Sequence, residues 1–278
     1  MKKLLALIAS AFVIGFTGCA GLSPSSEGNA PAEKEVATYK IAPFASTEDA
    51  KAKLANAGFE VIGTYKSADK GTTVLFTSKE MKAAADKPTR GLAAVGRILV
   101  DEENNQVSIA NPVYFGKAFM QDEYKHASAA ANLAALEKAF GPLKDSGDKW
   151  AFAGLADYHF MVGMPYYQDM TIVGEGSTAE LVAKAQKAKG TTAVVQLSAD
   201  RYVAFVDLDR RTKGFVKKIG TQNAQLLPWA VLIEDGKAKA LSAKYFIAIS
   251  YPLLTMSEFM TIATVPGAIE NDLKKIFK

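Results

Sequence analysis

The chain has 278 residues, with 33 Lys and Arg against 29 Asp and Glu for a formal charge of +4. Lys2 and Lys3 lie in a leading apolar segment, so the body is close to charge balance, which excludes the clustered basic surface that nucleic acid or an anionic membrane face requires. The single cysteine, Cys19, leaves the body without disulfides, a thiol nucleophile or a thiolate metal site, so a packed core must hold the fold.

Met1-Lys2-Lys3 forms a short positive head. Leu4 to Phe16 is an apolar run of about a dozen residues, too short for a comfortable membrane span. Phe16-Thr17-Gly18-Cys19 resembles a bacterial lipobox, with Phe16 where leucine is usual. This predicts a lipoprotein signal peptide over residues 1–18 and lipidation of Cys19 as the new N-terminus. Ala20 replaces the aspartate typical of inner-membrane retention, so the expected location is the cell envelope, at the outer membrane facing the periplasm. Residues 19–36 then form the lipidated cysteine and a flexible tether; Gly21 to Glu35 is Ser, Pro, Gly, Ala and Glu with almost nothing to bury.

Beyond the tether the sequence repeats itself at an offset of 131 positions. Ser46-Thr47-Glu48-Asp49 falls on Ser177-Thr178-Ala179-Glu180, and Ser67-Ala68-Asp69 on Ser198-Ala199-Asp200. Ile98 to Glu102 matches Val231 to Asp235 after a two-residue adjustment, and Tyr114-Phe115 returns to the original offset at Tyr245-Phe246. Each unit reads as a first strand (Thr38–Ile41, Asp169–Val173), then a capped helix. Ser177 with Glu180 makes a capping box, and Ser46 with Asp49 a weaker one. Two strands follow (Val61–Tyr65 with Thr72–Phe76; Ala193–Leu197 with Val203–Val206), then a short helix over Lys79–Ala84 or Arg211–Lys218. A hairpin turns on Asn104-Asn105 or Asp235-Gly236, pairs suited to positive φ. Helices ending at Leu133–Phe140 and Pro266–Phe277 close the units, with Pro266 at a first helical position.

The predicted fold class is α+β, with two tandem related β-α-β-β-α-β-β-α-α units forming a pseudo-dimer. The first unit covers residues 37–145, an apolar connector 146–166, and the second unit 167–278. This element order, and the hairpin-then-helix segments at Gly96–Met120 and Trp229–Tyr251, resemble the domain-of-unknown-function 302 family of small α+β domains. Small members of that family form dimers, so the resemblance implies a covalently fused pair. It brings no activity with it.

The connector is rich in sulfur and aromatic rings. His159, Met161, Met164 and Met170 are soft-ligand types that suit Cu(I) or an axial haem pair. The competing reading is that such residues fill a core between packed units. No cofactor is predicted, with copper or haem handling through His159, Met161 and Met164 as the alternative. Catalytic signatures fail in turn. His126 and His159 lack HExxH spacing, no Gly-x-Ser-x-Gly elbow occurs, and no phosphate-cradling glycine pattern follows a strand. Asp69 and Asp200 sit in turns, where aspartate bonds its own backbone. Asp207 and Asp209 read as a strand end and a helix cap. No catalytic residue is assigned, and the enzymatic reading is secondary.

The expected protein is a lipid-anchored envelope component acting as a non-enzymatic binding or scaffolding module. Its partners are the membrane through the anchor, an envelope protein or a small apolar ligand, and no nucleic acid. The first place for a ligand is the groove between units, because pockets favour domain interfaces. Tyr114, Trp150, His159 and Tyr245 are its predicted lining.

Overall fold

The computed structural model describes residues 30–278. The signal segment, Cys19 and most of the tether lie outside the described residues. The chain opens with strands β1 (Glu35–Ala37) and β2 (Tyr39–Pro43), helix α1 (Thr47–Asn56), β3 (Glu60–Ala68) and β4 (Gly71–Thr77). Helix α2 (Lys79–Ala85), a 3-10 turn at Gly91–Ala94, β5 (Gly96–Asp101) and β6 (Gln106–Ala110) come next. Helices α3 (Pro112–Met120) and α4 (His126–Phe140) then lead to β7 (Lys144–Asp145) and β8 (Lys149–Ala151). The second half runs β9 (Thr171–Glu175), α5 (Thr178–Lys187), β10 (Ala193–Gln196) and β11 (Tyr202–Val206), followed by α6 (Arg210–Lys213) and α7 (Val216–Ile219). A 3-10 segment at Thr221–Leu226 leads into β12 (Trp229–Glu234), β13 (Lys237–Ala240), α8 (Ala243–Ser250), α9 (Met256–Thr261) and α10 (Val265–Phe277).

Local chemistry sets most boundaries. Ser46 Oγ accepts the Asp49 amide at 3.1 Å to start α1, and Ser177 with Glu180 forms a complete capping box on α5. Both hairpin turns use left-handed backbone, at Asn105 (φ 50°) and at Asp235 and Gly236 (φ 51° and 69°). One element departs from expectation: residues 211–218 form two short helices, not one, broken around Gly214. Helix α4 runs from His126 to Phe140 with alanine-rich first turns. The tether is also shorter than expected: Glu35 and Val36 belong to β1, which pairs with β8 in a two-stranded ribbon that buries Val36.

The fold is α+β and every strand pair is antiparallel. The larger sheet has the order β3-β4-β5-β6-β2-β7 and the other β10-β11-β12-β13-β9. Setting β7 aside, both place the first strand of the half beside the last. α1 and α5 must each cross their whole sheet to reach the far edge.

Side chains alternate across the first sheet. Val74, Phe76, Ile98, Val100, Val107 and Ile109 form one face, packed with Leu54 of α1 and with Leu136 and Phe140 of α4. The opposite face carries Leu75 and Leu99 into a second, larger core shared with the other half. There the 3-10 segment 221–226 lies across β3 to β6. The relation is reciprocal: Gly91–Ala94 of the first half lies on β11 and β12. A Cβ on Gly91 would come within 2.6 Å of Leu232 Cδ1 and 3.0 Å of Leu197 Cδ1, so the two halves touch there without room for one more carbon.

Several polar groups inside this interface are paired. The C-terminal carbonyls of α8, which lack intrahelical donors, accept from tyrosines outside the helix. Tyr158 Oη reaches Ala248 O (3.0 Å), Tyr114 Oη reaches Ile249 O (3.0 Å) and Tyr39 Oη reaches Ser250 O (2.8 Å). The buried carboxylate of Glu234 accepts from Arg201 Nε (2.7 Å), Lys239 Nζ (3.0 Å) and the Thr89 amide (3.0 Å). Arg201 also pairs with Asp86, which ties the second sheet to the loop after α2.

Three outcomes follow for stability. Gly91→Ala should destabilise the chain by roughly 1–3 kcal/mol through overpacking at the inter-half contact, read as a lowered midpoint in chemical denaturation. Glu234→Leu removes the buried carboxylate that Arg201, Lys239 and the Thr89 amide share, and should cost on the order of 3 kcal/mol in the same measurement. Burial pushes up the pKa of Tyr39, Tyr65, Tyr114, Tyr124, Tyr158, Tyr167, Tyr245 and Tyr251. The folded state therefore holds tyrosine protons that the unfolded chain releases, so stability must fall as pH rises past about 10. Ultraviolet titration should show a small tyrosinate signal at first, then a cooperative jump coincident with unfolding.

Candidate functional site

A cavity of about 250 Å³ lies in the first half against the floor provided by the second. Three helices shape it, each held by its own sequence. Ser78 Oγ caps α2 through the Met81 amide (3.1 Å). Pro112 occupies the first turn of α3 behind Asn111, whose Oδ1 accepts the Val113 amide (3.0 Å) while its Nδ2 donates to Ala37 O (2.7 Å). Gly116 lets α3 close on α4: a Cβ there would sit 3.3 Å from the Tyr124 ring and 3.7 Å from Ala129 Cβ.

The walls are mostly apolar. Met81 comes from α2, and Phe115, Phe119 and Met120 from one side of α3. Leu226, Ala230, Leu241 and Phe246 of the second half close the floor, so the cavity exists only where the two halves meet. Lys87, Glu123, Lys125, Ser128 and Asn132 supply its polar lining from the α2 loop and the start of α4. Lys87 and Glu123 pair at 3.5 Å.

One charged side chain lies among the apolar walls. Arg97 extends from β5 on the face turned toward the second half, and lines the cavity. Its Nη1 donates to Gln225 O (2.9 Å), Leu226 O (2.5 Å) and Pro228 O (3.0 Å), so it anchors the 3-10 segment that covers its own sheet. The guanidinium also stands 5.2 Å from the Phe205 ring centroid and 5.6 Å from that of Phe246. No carboxylate reaches it among the described residues. Burial pushes the pKa of its guanidinium down to about 9, the direction expected for a cation removed from water without an anion beside it.

The residues singled out from sequence lie elsewhere. Tyr114 and Tyr245 are fully buried, their rings in the large core, and neither lines the cavity. Tyr114 serves α8 as described; Tyr245 Oη is enclosed with no hydrogen-bond partner among the described residues. Trp150, on β8, packs edge-on against Tyr158 at 5.1 Å, outside the cavity lining. His159 stacks near Tyr166 (4.5 Å), with Nδ1 3.3 Å from Asp157 O. Met161 is exposed, whereas Met164 and Met170 are partly buried against the large core. Phe152, Leu155 and Tyr158 of the connector are buried in that core, so much of its apolar character goes into packing. Among the described residues no group of three or more His, Cys, Asp or Glu side chains is gathered as a metal site.

Of the repeated aspartates Asp69 has a structural partner, and so do Asp207 and Asp209. Asp69 pairs with Lys217 across the halves at 2.6 Å, and Asp209 caps α6 through the Arg211 amide. Asp207 accepts from Tyr65 of the first half and from Lys213 at 2.9 Å. His126 begins α4, and its Nδ1 lies 3.0 Å from Tyr124 Oη. Sequence reasoning missed Arg97: it stands in an alternating strand like any outward arginine, and only the docking of the second half makes its face interior.

Comparison with protein-family models, with curated proteins and with solved structures gives no match to this chain.

Proposed function

We propose that this chain is a lipid-anchored, non-enzymatic binding module of the cell envelope, held at the membrane through Cys19, and that its cavity takes a small, largely apolar ligand. The observation that carries the reading is the cavity of about 250 Å³, walled by Met and Phe side chains and floored by the second half. Such an apolar recess with a few polar groups is the usual form of a small-molecule site. The titratable groups around it give no nucleophile-and-base pair, which favours binding over turnover. The two halves are read as related units fused into a pseudo-dimer. In support, both sheets share one strand order, and each half covers the open face of the other. Among the described residues no helix is long and apolar enough to cross a membrane, so the lipid at Cys19 is the proposed attachment.

The test is saturable binding of a neutral apolar fluorophore, N-phenyl-1-naphthylamine, to the purified chain. One site per chain is expected. Ala84→Trp combined with Ser128→Trp places two rings at exposed lining positions. The pair should weaken probe binding at least tenfold while leaving the thermal midpoint in place. Equal binding by both proteins would reject the cavity as the site. Radiolabelled palmitate incorporation that persists in Cys19→Ser would reject the anchor.

A further inference from the structure

Resting on that binding reading, we infer that the cavity selects a single-chain amphipathic anion, its tail among the Phe and Met walls and its headgroup on the free edge of Arg97. Three observations converge on this chemistry. First, Arg97 uses only Nη1 on protein acceptors, and its Nε and Nη2 have none among the described residues. Neither of these nitrogens is among the fully enclosed unpaired atoms of the described residues, so they keep access to open space beside the cavity that Arg97 lines. A planar guanidinium with one edge satisfied and the other open presents a fork suited to a carboxylate or phosphate.

Second, the charge of the lining is one-sided. Arg97, Lys87 and Lys125 line the cavity against a single carboxylate, Glu123, and Lys87 already holds that carboxylate. A cationic ligand would meet repulsion and no free anion. A neutral one would leave the guanidinium edge unpaired in an apolar recess, which costs free energy. Third, the volume limits the tail. At roughly 30 Å³ for a group the size of a water or a methylene, about 250 Å³ holds a chain on the order of eight such groups. A single chain of medium length would fill it.

Arg97 has a structural task as well, since its Nη1 anchors the 225–228 backbone. That task needs only one nitrogen and accounts for neither the open edge nor the missing counter-ion.

The deciding experiment is calorimetric titration of the purified full chain with decanoate, decyl phosphate, decanol and decyltrimethylammonium, each below its micelle concentration. The expected result is 1:1 binding of decanoate or decyl phosphate at least tenfold tighter than decanol, with the ammonium weakest. The stronger of the two anions tells a carboxylate headgroup from a phosphate one. Arg97→Met should abolish the anion preference, so that decanoate and decyl phosphate bind the variant no more tightly than decanol does. If that variant does not fold, the wild-type ranking of anion over alcohol carries the test alone. Decanol binding as tightly as both anions would overturn the inference while leaving the apolar cavity intact. No binding of any decyl compound, together with no binding of the neutral fluorophore, would remove both.

Discussion

Each sheet has one face that its own helices cannot reach, and the stability of the whole depends on how that face is covered. α1 and α4 seal one side of the first sheet; Leu75 and Leu99 on the other side would meet water if the chain stopped there. The segment 221–226 of the second half covers them, and Gly91–Ala94 returns the same cover to β11 and β12. At about 25 cal/mol per Å² of apolar surface withdrawn from water, this reciprocal burial is the main reason two small halves behave as one body. It also explains the density of specific polar contacts at the seam. Three tyrosine hydroxyls meet the open carbonyls of α8, and Glu234 gathers Arg201, Lys239 and the Thr89 amide. Burying those groups without partners would cost more than the apolar contact returns.

The cavity is a by-product of the same exchange. Its walls come from α2 and α3, but its floor is Leu226, Ala230, Leu241 and Phe246 of the second half. Arg97 shows the coupling most directly: one nitrogen fastens the covering segment while the rest of the guanidinium borders the recess. Occupancy at the open edge and retention of the 225–228 backbone therefore act on one side chain. A ligand there would be linked to the contact that joins the halves.

Much of the fold was legible because its signals are local. Capping serines at 46 and 177, positive-φ residues at 105, 235 and 236, and alternating apolar runs depend on neighbours within a few positions. The two sheets run in the same strand order once β7 is set aside. The predicted lining differs. Tyr114, Trp150, His159 and Tyr245 are expected at the seam, and the seam closes tightly enough to make the two tyrosines core. A buried tyrosine and a groove-lining tyrosine have the same sequence context, since both follow an apolar stripe.

Most element boundaries, the α+β class and the charge balance follow from the residues of the chain, each a sum of short-range preferences or a count. The cover over each sheet face follows instead from how the two halves pack. Arg97 illustrates why: on an isolated sheet its face would be solvent, and a cation there would need no explanation. Docking the second half covers much of the guanidinium, leaves the cation without a counter-charge, and makes an ordinary strand residue the one charged side chain among the apolar walls.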